Sequence, residues 1–100
     1  MRKVTWDAEA GFELNCSTLF YSRRGGEELG NRFLNTVDQL IEHIQQAPDS
    51  FKIIFGEVRK ARLSRFPYHV VYWLDTDMDS IHILALAHTS REPGYWKDRL

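Results

Sequence analysis

Hydrophobic residues in the first half of the chain recur with the period of an α-helix. A first set shares the i, i+4, i+8, i+11 spacing of one helical face and comprises Ala8, Phe12, Cys16, Leu19 and Phe20. The glycines of SRRGGEE, residues 22–28, interrupt this period, and a second set resumes it with Leu29, Phe33, Val37, Leu40, Ile41 and Ile44. Because Pro48 cannot continue a helix, the second helix must end before it. So short a connection predicts an antiparallel helical hairpin.

The remaining runs alternate between apolar and polar residues, as β-strands do. One short β-prone run, residues 4–6, precedes Asp7, a good helix N-cap. Four more runs follow Pro48, at residues 51–55, 58–64, 68–74 and 80–87. Turn signals between these runs lie at Gly56, Pro67 and the acidic TDMD loop. The runs are so close together that only antiparallel hairpins can connect them. We therefore predict a single α+β domain over residues 1–100, with the helical hairpin packed on one face of a twisted, mainly antiparallel sheet.

Strand alternation assigns the residues of the last three runs to two faces of that sheet. One parity is predicted to face the helices and comprises Ala61, Leu63, Tyr68, Val70, Tyr72, Ile81, Ile83 and Ala85. The other parity mixes basic, imidazole and aromatic groups: Lys60, Arg62, His69, Val71, Trp73, His82, Leu84, Leu86 and His88. We expect the functional side chains on this second, open face.

Charge is distributed unevenly along the chain. The 13 basic and 14 acidic residues give a net charge of −1, which argues against a protein whose whole surface binds nucleic acid. Residues 52–100 nevertheless hold eight basic and six acidic side chains, and RKARLSR, residues 59–65, holds four of the basic ones. This strand is either a binding surface for an acidic partner or RNA phosphates, or a charged strand that discourages edge-to-edge aggregation.

Several other classes of site are not supported by the sequence. Cys16 is the single cysteine, so no internal disulfide is expected, and its apolar neighbours predict a small buried side chain. No segment approaches the roughly 20 apolar residues of a membrane span, so we expect a soluble, unprocessed, cytoplasmic protein. The DTDMD loop has Ser80 and Leu86 where a calcium loop needs glycine and glutamate, and SRRGGEE lacks a P-loop lysine. We expect no metal and no cofactor, and a surface position for His43.

The segment AHTSREPGYW, residues 87–96, predicts a chain reversal near the end of the sequence. Glu92, Pro93, Gly94 and Tyr95 suit a type II turn, with proline second and glycine third, where φ must be positive. This turn would bring Tyr95 and Trp96 back over the sheet, with Arg91 either stacked on a ring or hydrogen-bonded to free carbonyl groups.

The helical hairpin followed by RKARLSRFPYHVVYWL and ILALAHTSREPGYW resembles the RelE/ParE superfamily, most closely its ParE-type, plasmid-stabilisation branch. The resemblance implies a small cytoplasmic bacterial toxin that inhibits growth and is neutralised by a cognate antitoxin. Some members of the superfamily cut messenger RNA on the ribosome, whereas ParE-type members poison DNA gyrase without catalysing a reaction. A dimer, or a hetero-oligomer with the antitoxin, is a further expectation.

Comparison with the superfamily favours binding over catalysis. Where ribosome-dependent nucleases typically carry two arginines, this chain has His69 and Thr89. The binding residues that we predict are Arg59, Lys60, Arg62, Arg65, Trp73, Arg91 and Trp96. The alternative, a ribosome-dependent endoribonuclease, would use His69 and His88 as proton carriers, Arg91 for phosphate charge and Tyr95 to stack a base. A non-toxic relic that only binds antitoxin is a third interpretation.

Overall fold

The computed structural model describes residues 2–100, which form one layer of helix on one five-stranded sheet. Its elements are β1 (Lys3–Trp6), α1 (Ala8–Gln46), β2 (Lys52–Phe55), β3 (Val58–Arg62), β4 (Tyr68–Asp75) and β5 (Ser80–His88). The strand order is β1-β5-β4-β3-β2, with β1 parallel to β5 and the other pairs antiparallel. The predicted fold class and strands are confirmed. Within the described residues, no helix combines the length and the hydrophobicity that crossing a bilayer requires.

The helical element α1 is a hairpin of two arms, residues 8–24 and 27–46. Asp7 caps its start by accepting a hydrogen bond from the Glu9 amide, 2.9 Å away. Non-helical backbone at Gly25 and Gly26 breaks it, and the φ of +79° at Gly26 is readily adopted only by glycine. The rings of Tyr21 and Phe33 lie 5.0 Å apart, which places the two arms side by side. The predicted antiparallel hairpin is confirmed, as is the end of the second arm before Pro48.

The main core lies between the hairpin and the sheet. Phe33, Val37 and Ile44 of the second arm are almost fully buried, as the apolar spacing predicted. Phe33 stands among the rings of Tyr21, Phe66 and Tyr68, with centroid separations of 5.0 to 5.2 Å. The sheet contributes the predicted helix-facing residues Ala61, Leu63, Tyr68, Val70, Tyr72, Ile81 and Ile83.

The predicted inward face of the first arm is wrong. Phe12 is 69% exposed, Leu19 50% and Phe20 47%, and Cys16 is exposed rather than buried. The residues that pack against the core are instead Ala10, Leu14 and Tyr21. These three residues have the same helical spacing as the predicted set but are shifted by two positions along the chain. The periodicity of the sequence therefore could not show which of the two stripes faces the core. Tyr21 decides the orientation because its ring completes the aromatic cluster, and it leaves Phe12, Cys16, Leu19 and Phe20 as an outer stripe.

A β-bulge in β5 changes the faces of the sheet near the end of that strand. Val71 pairs with Ala85 and Tyr72 with Ile83, so Leu84 is an extra residue without an opposite partner. A slip of one residue reverses every later side chain. Ala85 therefore lies on the open face and Leu86 on the helix face, and the predictions for Ala85, Leu86 and His88 are wrong.

Candidate functional site

The C-terminal tail, residues 92–100, folds back over the open face of the sheet. The Tyr95 amide donates to the Glu92 carbonyl at 3.3 Å and Gly94 has a φ of +79°, as a type II turn requires. Trp96 is 5% exposed and belongs to a second apolar cluster with Val58, Val71, Leu84, Ala85 and Ala87. The predicted turn and the predicted packing of the tail on the sheet are both confirmed.

Between the tail and the open face lies a groove of about 380 Å³. From the strands it is lined by Lys60, His69 and His88, and from the end of the chain by Arg91, Tyr95 and Lys97. Ile54, Val71, Ala87, Pro93 and Trp96 supply apolar wall. Glu92 is the single acidic residue among the lining groups. We call this the basic groove, defined by Lys60, His69, Arg91 and Lys97.

The cations of the basic groove are not neutralised by the protein. Within residues 2–100, Lys60, Arg91 and Lys97 take part in no ion pair. Lys52 lies directly opposite Lys60 across the β2–β3 ladder, and like charges in that position are destabilising. Lys60 therefore carries a positive charge that its cross-strand neighbour repels.

Lys52 and Lys97 were missed by the sequence reasoning. Lys52 could have been found by pairing β2 against β3, which places it beside Lys60. Lys97 reaches the groove only because the tail turns back, and its ammonium also lies 4.8 Å from the centre of the Phe55 ring.

His69 is the imidazole inside the basic groove. Its pKa is lowered, first by burial and then by the positive charges of Lys60 and Arg62. His69 is consequently a neutral ring near pH 7, able to accept a hydrogen bond or a proton but not to add charge.

We expect His69 to titrate below the ordinary histidine pKa of about 6.5 in an NMR pH series. Because the folded-state pKa is depressed, this residue contributes stability above about pH 6.5, and the contribution is lost as pH falls through the folded value. Lys60→Ala should shift the midpoint upward, and His69→Gln should remove this part of the acid destabilisation. A midpoint at or above the ordinary value would contradict the electrostatic account.

The four basic side chains of the segment 59–65 lie in different places. Arg59 lies on the helix face and donates to the carbonyls of Asp49 and Phe51, at 3.1 and 2.9 Å. Arg62 donates to the carbonyl of Phe66 in the β3–β4 connection. Arg65 is exposed, with a φ of +69°. Only Lys60 of this segment lines the groove.

Trp73, also predicted to bind, lies on the open face away from the groove. It pairs across the sheet with Val58 and His82 and is 39% exposed. Its ring is not among the groove-lining groups.

His69 and His88 both border the basic groove, but their rings lie in different surroundings. His69 pairs with Ala87 on the open face, whereas His88 pairs with Tyr68. The rings of His88 and Tyr68 pack 5.1 Å apart on the helix side of the sheet, and His88 Nδ1 accepts from the Ser90 amide at 3.0 Å. The bulge at Leu84 therefore turns the His88 ring toward Tyr68, whereas His69 lies on the open face.

Tyr95 is held by a carboxylate that the sequence reasoning did not single out. Its hydroxyl donates to Glu13 at 2.7 Å, and the Arg99 guanidinium donates to both oxygens of Glu13 at 3.0 and 3.1 Å. Burial, followed by the hydrogen bond to Glu13, raises the Tyr95 pKa well above its usual range. The guanidinium of Arg91 lies 3.8 Å from the centre of the same ring, the stacking predicted for Arg91. Tyr95 is thus a protonated, fixed part of the groove wall.

Glu13 and Arg99 also satisfy backbone groups near the bulge. The Leu86 amide donates to Glu13 at 3.1 Å, and Arg99 donates to the Leu84 carbonyl at 2.9 Å. Strand β1 pairs with β5 only as far as Ile83, so these groups lie beyond the end of that ladder. We call Glu13, Tyr95 and Arg99 the tail network, because they join the first arm, β5 and the tail.

Comparison with known proteins identifies the architecture. No family model matches the sequence, and no curated protein matches it. Among solved structures, the chromosomal ParDE TA system of P. aeruginosa superposes with a TM-score of 0.76 and 18% identity, over 90% of this chain and 98% of that one. This chain has the RelE/ParE fold.

Two RelE structures show the same fold. The isolated E. coli RelE toxin aligns with a TM-score of 0.63 and 14% identity, over 99% of this chain and 96% of that one. An E. coli RelE mutant in complex with an antitoxin RelBc peptide aligns with a TM-score of 0.66 and 12% identity, over 99% of this chain and 94% of that one. The sequence resemblance to the RelE/ParE superfamily is therefore confirmed at the level of fold, and the ParDE structure has the highest TM-score of the three.

Proposed function

We propose that this chain is the toxin of a bacterial type II toxin–antitoxin pair and that it acts in the cytoplasm by binding its target. The RelE/ParE fold and the basic groove support this proposal together. The groove offers unpaired cations and apolar wall, which suit recognition of an acidic protein segment. Both His69 and His88 border the groove, and the observation that carries the binding mechanism is that the His88 ring packs against Tyr68 on the helix face while His69 lies on the open face, because acid–base cleavage of RNA needs two proton carriers at one phosphate.

A cognate antitoxin is the first partner of the proposed toxin. The RelE mutant structure contains an antitoxin peptide, which is a property of that protein. For this chain, we propose that an acidic antitoxin segment lies in the basic groove against Lys60, Arg91 and Lys97. Such a segment would also relieve the repulsion between Lys52 and Lys60.

Reversal of one groove charge should weaken antitoxin binding. We expect Lys60→Glu to raise the Kd by roughly tenfold, with a loss that shrinks as salt is added, because it removes an attractive charge and adds a repulsive one. Isothermal titration at two salt concentrations measures both effects. Lys3→Glu is the matched control, since Lys3 is an exposed lysine on β1 at the opposite edge of the sheet. Equal affinity of Lys60→Glu and the unmodified chain would place the antitoxin elsewhere.

DNA gyrase is the target that we favour, because residues 87–96 resemble the ParE-type motif and the His88 ring packs on the helix face while His69 lies on the open face. The test is gyrase supercoiling of relaxed plasmid with the purified protein, with and without antitoxin. We expect inhibition that antitoxin relieves. No inhibition at a large molar excess would contradict the gyrase target, and messenger cleavage on translating ribosomes would then be measured.

The nuclease alternative retains one specific observation in its favour. His69 is a neutral imidazole beside Lys60 in the groove, so it could act as the base for a 2′-hydroxyl, with Arg91 near the phosphate. A nuclease of this kind should lose about two orders of magnitude in cleavage on His69→Ala while still binding antitoxin. A binding poison should keep its toxicity in the same variant, and an antitoxin-binding relic would show no toxicity in either form.

A further inference from the structure

The outer stripe of the first helical arm is an unpartnered apolar surface. Phe12, Cys16, Leu19 and Phe20 follow one another at helical spacing along the side of the arm that faces away from the core. Two exposed phenylalanines and a leucine on one helix face form a contiguous patch, which marks an interaction surface more often than scattered single residues do.

The charges at the two ends of this stripe are opposite. Glu9 stands at the N-terminal end, where its carboxylate lies 2.9 Å from the Arg99 guanidinium and its side chain is 67% exposed, and the exposed Arg23 and Arg24 stand at the C-terminal end. Cys16 lies midway between Glu9 and Arg23, and it also lies midway between Phe12 and Phe20. Phe12 and Phe20 therefore lie at equal distances from the centre of the arm, as do the oppositely charged Glu9 and Arg23, whereas Glu13 stands at the position that mirrors Leu19.

Shallow depressions lie on both sides of the same centre. One is lined by Cys16, Leu19, Phe20, Arg23 and Arg24. The other includes Phe12, Cys16, Ser17, Tyr68 and Leu86 among its walls. Each depression adjoins one of the exposed phenyl rings. The surface therefore has one projecting ring and one depression on each side of Cys16.

We propose that two copies of this chain associate through their outer stripes, with the first arms antiparallel and the twofold axis near Cys16. This arrangement places Phe12 of each copy beside Phe20 of the other and Glu9 beside Arg23. A parallel arrangement would place Arg23 and Arg24 against the same arginines, which is repulsive. A twofold interface uses one patch twice and so needs a self-complementary patch, which the outer stripe is.

The expected affinity of this association is modest. One helical stripe is smaller than the interfaces of stable complexes, so we expect a Kd of roughly tens of micromolar. The outer stripe lies on the first arm, and the depression beside Phe12 also touches Arg91, a residue of the basic groove. Self-association nevertheless goes beyond the proposed toxin function and does not rest on it.

Sedimentation equilibrium of the purified chain over a concentration series tests the proposal. We expect a monomer–dimer equilibrium that Phe12→Asp abolishes and that Arg23→Glu combined with Arg24→Glu weakens. Met78→Asp is the matched control, because Met78 is 75% exposed, comparable with Phe12, and lies at the β4–β5 turn. Leu19→Asp is a second disrupting variant, and circular dichroism confirms that each variant is folded.

Cross-linking through Cys16 tests the position of the axis. Cys16 is the only cysteine, so any bismaleimide-linked dimer joins the two copies of this residue. Packed helices approach to about 8–10 Å, which exceeds the Cα separation of a disulfide but suits a short bismaleimide. We expect an efficient cross-link in the unmodified chain and in Met78→Asp, and a yield near background in Phe12→Asp.

Three results would overturn the proposal. The first is a monomer at every concentration. If an added amphipathic antitoxin helix then protects Cys16 of that monomer from alkylation, the outer stripe is assigned to the antitoxin. The second is a dimer that persists in both Phe12→Asp and Leu19→Asp. The third is a cross-link whose yield does not depend on Phe12.

Discussion

Replacement of Glu13 by alanine should destabilise the fold by about 3 to 5 kcal/mol, the usual cost of breaking a buried ion pair. The Arg99 side chain is 9% exposed and that of Glu13 is 15% exposed, so the guanidinium would lose its bidentate partner where little water replaces it. The Leu86 amide and the Tyr95 hydroxyl would lose an acceptor in the same variant. Urea unfolding followed by circular dichroism measures the loss.

Two further variants distinguish the contribution of the Glu13–Arg99 ion pair to stability from that of the neighbouring groups. Glu9 also contacts Arg99, at 2.9 Å, but is 67% exposed, so Glu9→Ala should cost less than about 1 kcal/mol. Glu13→Leu combined with Arg99→Leu should be less destabilising than the sum of the single changes, because no charge is left unpaired. Additive losses, or a Glu13→Ala cost below 1 kcal/mol, would show that the tail network contributes little.

Replacement of Trp96 by alanine should lower the free energy of unfolding by about 3 to 5 kcal/mol, as truncation of a buried tryptophan usually does. Trp96 is 5% exposed and covers the apolar cluster on the open face. We also expect faster trypsin cleavage after Lys97 and Arg99, because the tail would lose its main contact with the sheet. Chemical denaturation and limited proteolysis measure the two effects.

Trp73→Ala is the control for this prediction. Trp73 lies on the same face of the sheet but is 39% exposed, so its loss should be clearly smaller. Equal stability of Trp96→Ala and the unmodified chain would show that the tail packs without stabilising the domain.

The elements of the fold were predictable because their sequence signals are local. The glycine pair at residues 25–26 ends one helical period, and Pro48 ends the next. The turn at residues 92–95 needs only proline and glycine in the right order. Each signal constrains the backbone within a few residues, so its effect does not depend on tertiary contacts with the rest of the chain.

The faces of the elements were harder to predict because they depend on distant partners. The bulge at Leu84 follows no turn residue in the sequence, yet it reverses the later part of β5 and turns the His88 ring to the helix face. The first arm has two stripes at the same spacing, and the ring of Tyr21 selects between them only once Phe33, Phe66 and Tyr68 are assembled.

The candidate site was predicted in part for the same reason. Lys60, His69, Arg91, Tyr95 and Trp96 converge on the groove because alternation and one turn suffice to place them. Arg59, Arg62 and Arg65 do not join them, because nearby carbonyls and a tight turn hold them elsewhere. Glu13 is 82 residues from Tyr95 in the chain, so no local pattern connects the two.

The pairing of β1 with β5 determines when this protein can finish folding. Residues in contact along that ladder, such as Thr5 and His82, are 77 positions apart, and β5 lies between β1 and β4 in the sheet. During synthesis β1 has no strand to pair with until β5 has emerged, and the hairpin has no complete sheet to cover. Contacts this distant in the chain slow folding. The newly made polypeptide therefore acquires its groove only after β5 and the tail that follows it have been translated.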